Sequence, residues 1–361
     1  MAVPSSLNPP SRVLVTGANG FIAQHCVARL LAEGYSVTGT VRSSSKVTPV
    51  LATHDHHPEL QVIVVEDMTR AESYLDALAA AAAAAAVAGP PEAILHLASP
   101  FDFSVSDFEA DLMRPAVQGT RALLEAASRM MSVRRVVQTN SFAGIFDASV
   151  APDPSQTYTT QDWSPLTYED GLAATVAPAA YRASKAAAEK AAWAFVRDRD
   201  VHFDLVSLCP GLVFGGFLPG APLPGRPDEL NTSNAAVWSV ISAGVDAPIP
   251  PTRAPVWVGV HDTAVAHVRA LQTPQAGGRR FLVASGVYCN QELADTARRV
   301  LAADDKHAGR VPTGKPGDWS EKENLYRIDA TDTEEVLQMK WQDLETVLAE
   351  LMPQLWEVEG V

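Results

Sequence analysis

Cysteine is scarce in this chain. The three present in 361 residues, Cys26, Cys209 and Cys289, lie far apart and match neither a disulfide framework nor a metal-ligand spacing, so a reducing compartment is expected. Basic charge is also short. Lys and Arg total 28 against 42 Asp and Glu, a formal net charge of −14, which excludes the clustered positive surface that a nucleic-acid partner requires. Long apolar runs are missing as well: no stretch approaches the ~20 residues of a membrane span. Met1 to Ser11 is rich in Pro and Ser and lacks an apolar signal core. A cytoplasmic protein with no membrane and no nucleic-acid partner is the expectation, as a monomer or a homodimer.

What the chain does have is alternation of strand and helix. Arg12–Thr16 reads as a buried strand that runs into Gly17-Ala18-Asn19-Gly20-Phe21-Ile22-Ala23 and then an apolar-periodic helix to Glu33. A strand, a glycine turn and a helix in that order give a G-x-x-G-x-x-A pattern its meaning. Glycine lets the backbone approach a pyrophosphate, and the helix amino terminus supplies N–H groups with partial positive charge. Gly17, Asn19, Gly20, Phe21 and Ile22 are therefore candidates for binding a dinucleotide. The second strand, Tyr35–Val41, ends at Arg42, with Ser43 and Lys46 behind it and no acid before Asp55. An acid here would hold a ribose 2′-hydroxyl and an arginine accommodates a 2′-phosphate, so NADP(H) is favoured over NAD. A third strand, Val62–Val65, brings Asp67 and Met68 toward the adenine. His54, His56 and His57 lie too close together in a polar connection to converge on one ion, and no metal is expected.

Further strands are read at Ala93–Ala98, Arg135–Thr139, Phe203–Leu208, Val256–Val260 and Arg280–Val283. Helices are read at Ala77–Ala88, a nearly pure alanine run, and at about 107–131, 179–197, 261–271, 291–301 and 341–352. The pattern is α/β: a Rossmann-type doubly wound parallel sheet with a smaller carboxyl-terminal substrate lobe. Residues 8–210 and about 262–285 form the NADP-binding part, and residues 211–261 with 286–361 the substrate lobe. The segment Gly211–Pro255 is rich in Pro and Gly and reads as a cover over the substrate.

Carboxyl ends of parallel strands carry ligands. Ala98 closes the fourth strand beside the cofactor, and Ser99 and Phe101 follow it toward the substrate. His96 reads as a strand histidine satisfied by hydrogen bonds. Ser141, just past the fifth strand, can hydrogen-bond a substrate carbonyl or cap the next turn. Tyr181 and Lys185 follow 40 and 44 residues later, four apart on one helix face. A neighbouring ammonium lowers a phenol's pKa, so the pair reads as an acid–base group near neutrality. Phe146 and Phe214 join Ser99 and Phe101 as candidates for an apolar pocket.

Together these stretches, with Cys209-Pro210-Gly211, resemble the extended short-chain dehydrogenase/reductase family, over about residues 12–351. The nearest likeness is to the dihydroflavonol-4-reductase-like branch, which includes methylglyoxal reductases and ketoreductases. The resemblance implies that Ser141, Tyr181 and Lys185 form a catalytic triad, that Arg42 and Lys46 hold the 2′-phosphate, and that Pro210 packs near the nicotinamide. The expected activity is NADPH-dependent reduction of a small-molecule aldehyde or ketone. Two departures stand out. Asn140 replaces a serine of the branch, and Gly259-Val260-His261-Asp262 replaces Asp-Val-Arg-Asp. Two other functions fit the same fold: a sugar-nucleotide epimerase or dehydratase with tightly held NAD, which Arg42 disfavours, and a non-catalytic cofactor sensor, which has no need of the triad.

Overall fold

Residues 6–84, 89–99, 105–301 and 305–360 are described by the structure, a computed structural model of the chain. Phe101 lies outside them.

The first half alternates strand and helix, with α2 an element the sequence reading did not include: β1 (Arg12–Thr16), α1 (Phe21–Ala32), β2 (Ser36–Val41), α2 (Val47–Thr53), β3 (Leu60–Val64), α3 (Ala71–Ala83), β4 (Ala93–His96), α4 (Arg114–Arg129) and β5 (Arg135–Thr139). Then come β6 (Thr157–Tyr158), α5 (Tyr168–Leu172), the long α6 (Ala177–Asp198), β7 (Asp204–Pro210), β8 (Leu212–Phe214) and α7 (Thr232–Ile241). The remainder is β9 (Val256–Gly259), α8 (Val260–Gln272), β10 (Arg280–Val283), β11 (Gly286–Val287), α9 (Asn290–Val300), α10 (Asp305–Ala308), β12 (Arg327–Ile328), α11 (Thr331–Leu337) and α12 (Leu344–Glu359).

Seven strands pair in the order β10–β7–β5–β4–β1–β2–β3, every pair parallel. Side chains alternate across that sheet, as a two-residue period requires. Val13 and Val15 pack with Val27 and Leu30 of α1 and Val268 and Leu271 of α8. Leu14 between them packs on the opposite face with Leu123 and Leu124 of α4 and Ala192 and Phe195 of α6. Each such side chain, fully buried, contributes about 1.5–3 kcal/mol. Chain order reverses about β1, which has β2 on one side and β4 on the other. Crevices at such switch points, at the carboxyl ends of strands, are where ligands bind.

A second apolar cluster gathers Phe214, Val237, Trp257, Leu293, Leu351 and Trp356 from β8, α7, β9, α9 and α12. Its three-stranded sheet runs β11–β9–β8. Phe214 is fully buried there, its ring 5.8 Å from that of Trp257 and 5.4 Å from that of Tyr288. The assignment of Phe214 to a pocket wall is therefore corrected: pairing of β8 with β9 turns its ring into the core of this lobe.

Strand ends shift by one or two residues from the expectation, as at β3, β4 and β7, and three helices differ more. The helix read from 107 opens as a π turn, Glu109–Met113, before α4. Pro115 has no N–H to give the carbonyl four residues back, which leaves room for the wider turn. The alanine-rich helix starts earlier, at Ala71, and ends at Ala83. α12 continues through Pro353 to Glu359, because Leu355, Trp356 and Val358 are buried beyond the proline.

Candidate active site

Gly17 follows β1 at φ +67, in the left-handed region that favours glycine. A Cβ there would come within 3.1 Å of Ala98 Cα, so glycine is also required sterically. Gly20 stands at the amino terminus of α1, and among the described residues no side chain caps the free N–H groups. Asn19 and Gly20 are exposed. This cradle suits a pyrophosphate: open N–H donors, helix polarity and no side chain in the way. At the end of β2, Arg42 and Lys46 are exposed and form no ion pair among the described residues. Two uncompensated cations there suit a 2′-phosphate. Asp67 is exposed, and its Oδ1 accepts from Thr69 N–H (2.9 Å) and Oγ1–H (2.6 Å), bonds that hold its carboxyl below the ordinary value. Met68 beside it is half-buried.

Thr16 and His96 end β1 and β4 in register. Thr16 Oγ1 accepts from the N–H of Leu97 (3.1 Å) and of Ala98 (3.0 Å), and it lies 2.9 Å from His96 Nδ1. With both lone pairs taken, the threonine hydrogen points to Nδ1, which fixes the histidine as the Nε2–H tautomer. Burial, then the charge of Lys185, lowers the His96 pKa to about 3. It is a neutral strand histidine, as its sequence context indicates. Thr16 was not singled out as a site residue, although a hydroxyl immediately before the first glycine is the available signal.

Ser141 follows β5 in extended backbone (φ −164) and its Oγ accepts from Ala143 N–H at 3.2 Å, capping the turn Phe142–Gly144. Its side chain also interacts with the Tyr181 phenol and lowers that phenol's pKa. Burial pushes the Tyr181 phenol up to about 12, and the Ser141 hydrogen bond draws it back only in part. The expected lowering by Lys185 is not what governs this phenol: removal from water outweighs it. Lys185 is itself buried, 7% exposed, and burial brings its pKa down to about 8 against partial restoration by Cys209 and Glu189. Its Nζ donates to Thr139 O at 3.2 Å and to Ser99 Oγ at 3.4 Å. Ser141, Tyr181, Lys185 and Ser99 are thus brought together at the carboxyl edge of the sheet. Pro210, buried, ends β7 on that same edge.

Phe146 is half-buried, stacked on Phe142 at 5.1 Å and next to Tyr326 at 6.1 Å. These rings extend from the Ser141 turn. A cavity of about 550 Å³ lies elsewhere, between α3, α4 and α6 on the outer helical face, lined by Gln118, Glu125 and Phe195 among others. None of the site candidates is on its wall.

Behind the site is a buried charge cluster that sequence reading missed. Glu189, with no exposed surface, takes both Arg280 Nε (2.8 Å) and Nη2 (2.9 Å). Its spacing is a usable signal, since Tyr181, Lys185 and Glu189 recur every four residues on α6.

Residues 13–284 match the NAD dependent epimerase/dehydratase family. The chain is 32% identical over 353 residues to the NADPH-dependent methylglyoxal reductase GRE2 of Saccharomyces cerevisiae, covering 96% of this chain and 99% of that one. It is 32% identical over 358 residues to the ketoreductase azaE of Aspergillus niger, covering 96% and 98%. Among solved structures, yeast methylglyoxal/isovaleraldehyde reductase Gre2 complexed with NADPH superimposes with a TM-score of 0.87 at 31% identity, over 97% of this chain and 99% of that chain.

Proposed function

This chain belongs to the NAD dependent epimerase/dehydratase family, and within it we propose an NADPH-dependent reductase of aldehydes and ketones. One observation carries the reading: Ser141 and Tyr181 interact at the sheet edge that also carries the glycine cradle, with buried Lys185 one turn along the same helix as the tyrosine and its Nζ donating to Thr139 O. NADPH, when bound, supplies the hydride. The protein's own task is to hold the carbonyl and move a proton. The substrate oxygen inserts between the two hydroxyls and accepts from both. Ser141 orients and polarises it, and Tyr181 gives its phenolic proton as negative charge builds on that oxygen. A phenol raised to about 12 is protonated at neutral pH, the state a donor needs. The Lys185 ammonium, held by Thr139 O and Ser99 Oγ, stabilises the charge left on Tyr181.

Arg42 and Lys46 are assigned to the coenzyme 2′-phosphate, Gly17, Asn19, Gly20, Phe21 and Ile22 to the pyrophosphate, Asp67 and Met68 to the adenine, and Ala98 and Pro210 to the nicotinamide side. Residues 8–210 with about 262–285 form the coenzyme-binding part, and 211–261 with 286–361 the lobe that covers the substrate. Half-buried Phe146, stacked on the buried Phe142, is assigned to the substrate side and favours carbonyls with alkyl or aromatic groups. The epimerase reading is weaker, because GRE2 and azaE, each 32% identical to this chain over nearly their whole length, are named as reductases. No helix among the described residues is long and apolar enough to cross a membrane.

The test is a panel of aldehydes, ketones and β-keto esters followed by NADPH absorbance. The expected result is saturable oxidation with apolar carbonyls. A protein that binds NADPH and oxidises it with none of them is not a carbonyl reductase.

A further inference from the structure

The two halves of the site come from different parts of the chain: Ser141 from the turn after β5, and Tyr181 and Lys185 from α6. Both halves meet at one buried carboxylate. Glu189 lies on α6 four residues past Lys185 and eight past Tyr181. Its Oε1 accepts from Arg280 Nε at 2.8 Å and Ser207 Oγ at 2.6 Å, and its Oε2 from Arg280 Nη2 at 2.9 Å and from Asn140 Nδ2. Arg280 is locked in turn: its Nη1 donates to Thr160 O and Asp162 O, both at 2.8 Å, and the Trp163 ring lies 3.6 Å from its guanidinium carbon. The carboxylate is therefore a fixed point.

Asn140 is the residue before Ser141 and is 3% exposed. Its backbone N–H donates to Leu208 O at 2.7 Å, tying it to β7. Gly144, at the far end of the serine turn, packs so closely that a Cβ there would collide with the Asn140 amide. The amide orientation follows from chemistry, since a carboxylate only accepts and Nδ2 must face it. Asn140 Oδ1 then finds no partner among the described residues. A buried acceptor left unpaired carries a cost, which the amide's other end must justify. The branch that the sequence resembles has serine here, a side chain one bond shorter.

We propose that Asn140 is a positioning residue for the reduction: by bridging the Ser141 turn to Glu189 it sets the separation of the Ser141 and Tyr181 hydroxyls. The proposal rests on the reading of Ser141 and Tyr181 as the carbonyl-binding pair. Neither Asn140 nor Glu189 touches substrate. Glu189 keeps Arg280 and Ser207 when Asn140 is shortened, so the charge cluster survives that change.

The experiment compares the full-length protein with Asn140→Ala, Asn140→Ser and Asn140→Asp, using a carbonyl that the unmodified protein reduces. kcat, carbonyl KM, NADPH affinity by fluorescence quenching and Tm are measured. Misplacing a reacting group by about 1 Å costs up to ~100-fold, so Asn140→Ala is expected to lose about 10- to 100-fold in kcat with NADPH affinity and Tm near those of the unmodified protein. Asn140→Ser, which restores a donor, recovers part of the loss. Asn140→Asp, which faces one carboxylate with another, does not. Unchanged kcat in Asn140→Ala overturns the proposal, and so does a parallel fall of kcat, NADPH affinity and Tm, which marks a scaffold only. If Asn140→Ala does not fold, Asn140→Ser decides: reduced kcat with intact NADPH binding supports the proposal, and unchanged kcat overturns it. Failure of the reductase reading is seen separately, as an unmodified protein that oxidises NADPH with no carbonyl.

Discussion

Thr16 Oγ1 and His96 Nδ1 stand 2.9 Å apart at the paired ends of β1 and β4, and the same hydroxyl accepts the N–H groups of Leu97 and Ala98. One side chain thus fixes the backbone against which Gly17 closes. Thr16→Val keeps the shape and deletes the hydroxyl, leaving two part-buried backbone donors unpaired at a cost of about 1 kcal/mol. Denaturant melting should show that loss, together with weaker NADPH binding, and Thr16→Ser should recover both. A Thr16→Val protein as stable as the original would show that the bridge is incidental.

Arg42 and Lys46 present two exposed cations with no ion-pair partner among the described residues. A hydrogen bond to a charged group is worth about 1.5–3 kcal/mol, or roughly 10- to 150-fold. Arg42→Ala should therefore lower kcat/KM for NADPH by about that factor while leaving NADH use almost unchanged. Equal preference for both coenzymes in the unmodified protein defeats the assignment.

How much of this was legible in sequence follows from the range of each interaction. The β1 strand, the glycine turn and α1 are contiguous, and a period of 3.6 identifies α6 without reference to anything distant. The candidate site residues within such segments, Gly17, Tyr181 and Lys185, were proposed from local pattern for the same reason. Glu189 and Arg280 are 91 residues apart, and no local pattern announces that they pair. Phe214 looked like a pocket residue because it comes just after Pro210 and Gly211, but it closes β8, which pairs with β9 and takes the ring inside. Pro353 looked like a helix end, and packing of Leu355 and Trp356 overrode it. The raised phenol of Tyr181 is a matter of burial, which spacing along a helix does not report.

Lys185 gives the pH dependence. The charged or titratable groups facing it are His96 from β4, Cys209 from β7 and Glu189 from α6 itself, and burial holds its pKa at about 8. Tyr181 remains protonated to about 12. As pH rises through about 8 the ammonium is lost first, so kcat/KM for reduction should fall across that point while the proton donor is still in place. Lys185→Arg, charged throughout, should abolish the fall although its maximum is lower. Stability runs the other way: between about 8 and the free value of 10.5 the unfolded chain binds more protons than the folded one, so this group's contribution to stability increases with pH in that window. A flat kcat/KM from pH 6 to 10 contradicts the assignment.

Tyr181 distinguishes reductase from epimerase. In a reductase NADPH is consumed, so NADP⁺ accumulates in step with the alcohol. In an epimerase the coenzyme is oxidised and re-reduced within one turnover, and no net change appears. The exposed cations beyond β2 suit a reductant drawn in phosphorylated form and released after each turnover, which favours stoichiometric consumption. Tyr181→Phe keeps the ring in its place on α6 and removes both the proton and the interaction of the phenol with Ser141. General acid contributions amount to about 10²–10⁴-fold, and kcat should fall by that much with NADPH binding close to intact. Ser141→Ala removes the other hydroxyl but leaves the phenol, so its loss should be smaller, and the double variant should lose less than the product of the two because they serve one oxygen. The measurement is NADPH lost against alcohol gained, with the Tyr181→Phe protein as control. Product formed without net NADPH loss points to an epimerase, and full activity in Tyr181→Phe removes the tyrosine from the reaction altogether.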